Sequence, residues 1–394
     1  MIVRGDEILA QKEYGAANLK TKAKNRLNTK FRVASLTKTL TAAAIIILRD
    51  RGKLKLDDSL SRFFPSFPNG KNITVEQLLL HRSGVGALDK PEDHRNCYTR
   101  DRLVEEIGKV KPYFPPGADS SYSNEGYNLL AAIIEKVSGE TYENFLRKNI
   151  FQPLGMRDSG SFCSESKTSN LAVGYVTGTG IGTIEALPFN EFVQMGSGSV
   201  YSTAPDLHKW LKAVNENRLF QIDKLRYPYG WGVREYTGNK LIEQSGLVEG
   251  FNAYIALYAP EKLYVIFLSN VQSGLFNRVA RDLKAVAFGG EFSRPNALSR
   301  SEIPRINSAD YAGAYRTPDI SVPLNVVQKN GNLYLQWGNY PFLRSLTPVA
   351  KDKFYYRAEY AEIIFERGDD GRIEKIKWQS SPTDSFYLTK VVDR

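Results

Sequence analysis

The apolar positions of this chain change their period several times, and each change marks an element. From Leu36 they fall at Leu40, Ala43/Ala44 and Ile47/Leu48, three and four apart, which predicts a helix. Phe31 to Ala34, just before it, reads as a short strand, and residues 1–34 as a whole read as strands. Thr74-Val75-Glu76-Gln77 has the capping-box pattern and opens a short apolar helix, Leu78-Leu79-Leu80. Further helices are expected at Leu103 to Val110, at Tyr127 to Val137 with a stop at Gly139, and from Tyr142 through Phe145 and Leu146. Another is capped at Ser202-Thr203, with Pro205 and Asp206 in its first turn. Between these helices, Ser120 to Asn124 is expected in a loop. The glycine-rich stretch Gly174 to Thr183 is followed by neither a lysine nor a helical pattern. It reads as loop rather than phosphate cradle.

Period-two alternation returns near the middle of the chain. Strands are predicted at Tyr229 to Tyr236, Lys240 to Ser245, Phe251 to Tyr258 and Leu263 to Ser269. A last amphipathic helix carries Leu275, Val279, Leu283 and Val286, and ends at Gly289-Gly290. Residues 291–308 are polar and contain Pro295 and Pro304, the composition of a linker. Residues 309–394 alternate through about eight short strands, which predicts a small β-barrel or sandwich. Asn330-Gly331-Asn332 and Asp369-Asp370-Gly371 are its clearest hairpin turns. The expected organisation is a first domain of class α/β (α+β) over residues 1–290, a linker over 291–308 and an all-β domain over 309–394.

Composition narrows the function classes. Of 394 residues, 42% are hydrophobic and 24% charged, ordinary for a soluble globular protein. The net charge of +10 comes from basic residues scattered among acidic ones, without a run of one sign. There is no zinc-finger spacing, Walker loop or RNA-binding aromatic motif, so no nucleic-acid partner is expected. Cys97 and Cys163 form no disulfide framework; two free thiols are expected, with a single bridge between them as the alternative. His81, His94 and His208 show no metal-ligand spacing; neither a metal nor a cofactor is expected. The longest apolar run, Ala42 to Leu48, falls well short of the roughly 18–20 residues of a membrane span. The first nine residues read as a strand already under way, so a leading segment is expected to be missing. The location is cytoplasmic as written, and periplasmic or secreted if a signal once preceded it.

Candidate chemistry starts at Ser35-Leu36-Thr37-Lys38. A serine hydroxyl needs a base, and a lysine three residues on shares its helix face. Burial lowers a lysine pKa and fits it to that task. A second S-x-x-K, Ser164-Glu165-Ser166-Lys167, lies in a polar stretch and reads as a solvated loop. Tyr122-Ser123-Asn124 offers a phenol that loses its proton more easily in an electropositive pocket, and an amide that can hold a carbonyl. Tyr142, with Phe145 and Leu146, reads as core, and so does Trp231. His81 reads as structural rather than catalytic.

Several further stretches accompany these two: Leu78-Leu79-Leu80-His81-Arg82-Ser83-Gly84, Phe114-Pro115-Pro116-Gly117, Phe151-Gln152-Pro153-Leu154-Gly155-Met156, and Gly198 through Leu207. Together they resemble the class C serine β-lactamases, with the penicillin-binding proteins, D-aminopeptidases and esterases of the same fold, over nearly all of residues 1–290. The resemblance implies an antiparallel sheet of N- and C-terminal strands flanked by helices, with an inserted helical region. It implies Ser35 as acylated nucleophile, Lys38 and Tyr122 sharing the base role, and Asn124 holding substrate. The backbone N–H groups of Ser35 and Leu247 would form the oxyanion hole. Where the family usually carries Lys-Thr-Gly or His-x-Gly, this chain has Gln244-Ser245-Gly246. A neutral glutamine cannot attract a carboxylate as a cation would. The C-terminal module resembles lipocalin-like barrels appended to some D-aminopeptidases.

These readings converge on a serine hydrolase forming an acyl-enzyme on Ser35, with a small ester, amide or short peptide as substrate. Gln244, Ser245, Gly246 and Leu247 would line the substrate side. The alternatives are a β-lactamase or penicillin-binding D-amino-acid peptidase and, in another class, a non-catalytic binding protein on the same fold. A homo-oligomer stays open.

Overall fold

The computed structural model describes residues 1–88, 99–161, 168–178, 182–186, 195–219, 229–236, 238–273, 276–290, 307–317, 323–338, 343–356, 361–381 and 384–391. Cys97, Cys163, His94, Leu275, the second S-x-x-K at Ser164 to Lys167 and nearly all of the 291–308 stretch lie outside the described residues. The chain divides into two compact units. One holds residues 1–175 and 185–272, the other 176–184 and 273–394.

The first unit is built on a six-stranded antiparallel sheet. In spatial order its strands are Gly232–Tyr236, Asn239–Val248, Phe251–Tyr258, Leu263–Ser269, Ile2–Arg4 and Glu7–Ala10. The two ends of the unit meet where Ile2 pairs with Val265. Phe251–Tyr258 is buried at every position, which explains why all of its residues but Asn252 are apolar or aromatic. The strand predicted from Lys240 to Ser245 runs on through Val248, so its last residues pair across to Phe251 and Asn252.

Two helices form the centre of the core. Thr37–Asp50 is buried from Thr37 to Leu48, and Asn124–Ser138 from Glu125 to Ile134. A helix apolar on all sides is stable only when surrounded. Each fully buried Leu or Ile along them contributes roughly 1.5–3 kcal/mol. The Asn124–Ser138 helix stops at Gly139, whose left-handed φ of +72° closes the last turn. The capping box is present as predicted: Gln77 N–H donates to the Thr74 hydroxyl, and Thr74 N–H to the Gln77 amide. Thr203 caps Ala204–Asn215 with a single bond, its hydroxyl accepting Asp206 N–H.

The glycine-rich stretch differs from expectation. It carries two short strands, Tyr175–Gly178 and Gly182–Glu185, neighbours in a small sheet. Glycines hide the pattern because they supply no side chain to alternate.

The second unit contains a closed barrel of eight antiparallel strands, each paired with its neighbour in sequence. It runs from Gly313–Arg316 to Asp384–Lys390, and closes where Tyr315 pairs with Lys390. The choice between barrel and sandwich thus falls to the barrel. Its interior is filled: Tyr311, Phe354 and Phe365 meet edge to face, beside buried Leu324, Leu335, Ile363, Ile376 and Leu388. Asn330 and Gly331 both take positive φ, the geometry of a two-residue hairpin turn.

Leu130, fully buried in the Asn124–Ser138 helix, tests the core. Leu130→Ala is expected to destabilise the first unit by about 2–5 kcal/mol. A urea titration followed by circular dichroism measures it as a lower midpoint.

Candidate active site

The strand Phe31–Arg32 is pinned where Phe31 pairs with Ser202 and Arg32 with Tyr201. Val33 N–H then donates to the Val200 carbonyl at 3.0 Å. Ala34 follows with φ +46°, a left-handed conformation that strains any residue with a Cβ. One 3₁₀ turn, Ala34–Leu36, leads directly into the Thr37–Asp50 helix. Ser35 therefore stands on a tight turn between a fixed strand and a fixed helix. Lys38 lies one turn further on.

Lys38 is fully buried and reaches three polar partners. Its Nζ lies 2.8 Å from Asn124 Oδ1, 3.0 Å from the Ser197 carbonyl and 3.2 Å from Ser35 Oγ. Burial pushes its pKa down to about 7, against a weaker upward pull from the Glu125 carboxylate. A neutral amine has two N–H bonds and one lone pair. Asn124 and Ser197 offer only acceptors, so they take the two N–H groups. As an ammonium, Lys38 Nζ also donates to Ser35 Oγ; as a neutral amine, with two N–H groups engaged elsewhere, it has its lone pair on the serine side.

Tyr122 closes the other side. Its hydroxyl donates to Ser35 Oγ at 2.8 Å, and its ring lies under Lys38 with Nζ 4.7 Å from the ring centre. The expected ease of losing the phenolic proton is not met: burial around the phenol raises its pKa above the ordinary value, outweighing the Ser35 hydrogen bond. This holds although the side chain is 57% exposed overall. The loop also ends earlier than expected. Ser123 is the N-cap, its hydroxyl accepting Gly126 N–H, and Asn124 is already the first helical residue. The cap points the Asn124 amide at Lys38.

The strand Asn239–Val248 forms the third wall. A Cβ on Gly246 would overlap the Val33 carbonyl oxygen and lie 3.1 Å from the Ser35 nitrogen. Only glycine allows the strand this close to the Ser35 turn. Gln244 is held: its Nε2 donates to the Gly230 carbonyl at 2.8 Å, and its Oε1 accepts Ser245 N–H at 2.9 Å. Ser245 is exposed, and Leu247 is 60% exposed beside it in the strand.

The structure thus brings Ser35, Lys38, Tyr122 and Asn124 into one hydrogen-bonded cluster, with Gly246 against the Ser35 backbone. Ser, Lys, Tyr and Asn are no metal-ligand set. Tyr142 is core as expected, its hydroxyl bonded to Thr41, and Trp231 is core too. Two members escape sequence reasoning. Ser197 acts through its backbone carbonyl, which no side-chain pattern reveals. Gly230, with φ +82°, packs against the Lys38 backbone; Tyr229-Gly230-Trp231-Gly232 is the signal that could have found it.

The family model described as Beta-lactamase matches residues 1–288. The chain belongs to the beta-lactamase family. It is accordingly a serine hydrolase. A domain of unknown function, DUF3471, matches residues 299–391 of this beta-lactamase-family protein. A penicillin-binding protein of Bacillus subtilis (strain 168) is 26% identical over 428 residues, covering 99% of this chain and 94% of its own. PbpX of the same organism is 33% identical over 281 residues, 69% of this chain and 70% of its own. Among solved structures, the octameric penicillin-binding protein homologue from Pyrococcus abyssi is 26% identical, with TM-score 0.65. It covers 99% of this chain and 94% of that one.

The close approach at Gly246 has a measurable consequence. Gly246→Ala drives the strand off the Ser35 turn and is expected to slow fluorophosphonate labelling by about 100-fold, the scale of a 1 Å misplacement. Labelling at the wild-type rate would show that the strand has room to spare.

Proposed function

We propose that this protein hydrolyses a small uncharged ester, or an amide or short peptide, through an acyl-enzyme on Ser35. The observation that carries the reading is the buried Lys38, its pKa lowered to about 7 and its Nζ 3.2 Å from the Ser35 hydroxyl, so that a neutral amine is available at neutral pH. Neutral Lys38 takes the proton as Ser35 Oγ attacks the substrate carbonyl. The oxyanion is held by the Ser35 and Leu247 N–H groups. Tyr122, its pKa kept high, acts as proton donor to the leaving group, and Asn124 fixes Lys38 and the substrate carbonyl. Acylation leaves Lys38 as ammonium and Tyr122 as phenolate. In deacylation the phenolate takes a proton from the attacking water, and the ammonium returns one to Ser35 Oγ. Both groups regain their starting states.

Substrate choice rests on Gln244 to Leu247. None of the four is charged, and the Gln244 amide is already engaged. Leu247 offers an apolar surface beside the nucleophile. This favours a substrate without a carboxylate near the scissile bond. The second reading, a β-lactamase or D-amino-acid peptidase, is favoured by the relatives named penicillin-binding proteins. A non-catalytic binder would have no use for a neutral lysine aimed at a serine. The domain division we propose is residues 1–290 for the hydrolase, 291–308 for the linker and 309–394 for the barrel. A homo-oligomer is proposed from the octameric relative.

Intact-mass analysis after a fluorophosphonate should give one adduct that Ser35→Ala abolishes. No adduct, together with no p-nitrophenyl ester turnover, would sink the proposal. Parallel labelling with a penicillin decides between the two substrate readings. Because neutral Lys38 is the active form and its pKa is depressed, kcat/KM is expected to rise through about pH 7 and level off above it. A profile rising only near pH 10 would mean an unperturbed lysine. Gln244→Lys or Gln244→His is expected to raise turnover of carboxylate-bearing substrates relative to neutral ones; an unchanged ratio would remove Gln244 from specificity.

A further inference from the structure

His81 follows the Val75–Leu79 helix, and its φ of +58° puts it in the left-handed region that a histidine seldom occupies. That conformation points both of its acceptors at the same loop. Its backbone carbonyl accepts Ser121 N–H at 3.0 Å, and its Nδ1 accepts Ser123 N–H at 3.0 Å. The two bonds flank Tyr122 on either side in sequence. Between them the imidazole stacks on the Tyr122 ring, centroids 4.8 Å apart with planes at 30°. It also packs 5.0 Å from the ring of Tyr127, which is fully buried and whose hydroxyl donates to the Leu79 carbonyl.

Tyr122 needs such support. Tyr122 is 57% exposed, so the position of its ring depends on the few groups packed against it. A phenol that turns away loses the 2.8 Å bond to Ser35. We infer that His81 is a positioning residue of the hydrolytic site: through its carbonyl, its Nδ1 and its ring face it holds the Tyr122 hydroxyl on Ser35 Oγ. This rests on the proposed role of Tyr122 as proton donor. It assigns His81 no contact with substrate. The Nδ1 acceptor requires a neutral ring. Burial first, and the neighbouring Lys38 charge second, push the imidazole down to about 4, so it stays an acceptor across the neutral range.

The variants separate backbone, acceptor and ring. His81→Asn keeps a residue that tolerates positive φ and places its Oδ1 where Nδ1 stands. His81→Gly keeps the backbone freedom but removes acceptor and ring. On a p-nitrophenyl ester, His81→Gly is expected to lower kcat at least about 30-fold with KM within about threefold, whereas His81→Asn stays within about fivefold of wild type. In a Tyr122→Phe background, His81→Gly should add less than about threefold, since the group it positions is gone. Should His81→Gly fail to fold, His81→Gln, whose amide reaches past the Nδ1 position, is expected to lose kcat in its place. An equal loss in both backgrounds, or no loss with Tyr122 intact, overturns the inference. If Tyr122→Phe alone leaves kcat unchanged, the role of Tyr122 fails, and with it the ground for His81.

Discussion

A lysine held out of water is the constraint on which the rest of this site depends. Lys38 is buried within the Thr37–Asp50 helix, and an ammonium there gives up its hydration. Among the described residues, no carboxylate repays that loss with a salt bridge at contact distance. The protein supplies two neutral acceptors, Asn124 Oδ1 and the Ser197 carbonyl, and one hydroxyl, Ser35. Neutral acceptors stabilise an ammonium less than a carboxylate at the same distance would. The neutral amine therefore becomes accessible near pH 7, and the lone pair falls on the serine.

The surroundings follow from keeping that arrangement closed. Asn124 is placed by the N-cap at Ser123, so a helix start serves the site as well as the fold. The Ser197 carbonyl comes from the short Met195–Gly198 helix, anchored where Asn128 Oδ1 accepts the Gly196 and Ser197 N–H groups. Gly230 and Gly246 let backbone approach the Lys38 and Ser35 turns more closely than any side chain would allow. The strained φ of Ala34 belongs with them: the strand on one side and the helix on the other leave the turn no relaxed alternative. Gln244 ties the Gly230 segment to the third wall with its amide, which makes it part of the frame around the site.

The C-terminal barrel obeys a different rule. Its strands are consecutive neighbours, so each hairpin is local and the alternation of side chains carries the whole design. Large aromatics fill the interior, and the barrel is stabilised as a packed core.

Much of this is legible in the amino-acid pattern. The period of apolar residues places both central helices and the main strands, because burial on a regular element repeats with its geometry. Ser35, Lys38, Tyr122 and Asn124 can be named from local motifs, since Ser35 and Lys38 lie one helical turn apart and the Tyr-x-Asn stretch opens a capped helix. The pattern fails where side chains are absent or where contacts are distant in sequence. The strands of the glycine-rich stretch have no alternation to read, and the Asn239–Val248 strand runs longer than its apolar pattern. The sequence by itself determined which groups are present and which face of which element they occupy. Only the tertiary structure decided their chemical state. The Lys38 pKa depends on burial by the whole core, the direction of the Tyr122 proton on desolvation, and the occupation of Gln244 on a carbonyl 14 residues away. Those are properties of solvent exclusion and through-space distance, which no local pattern encodes.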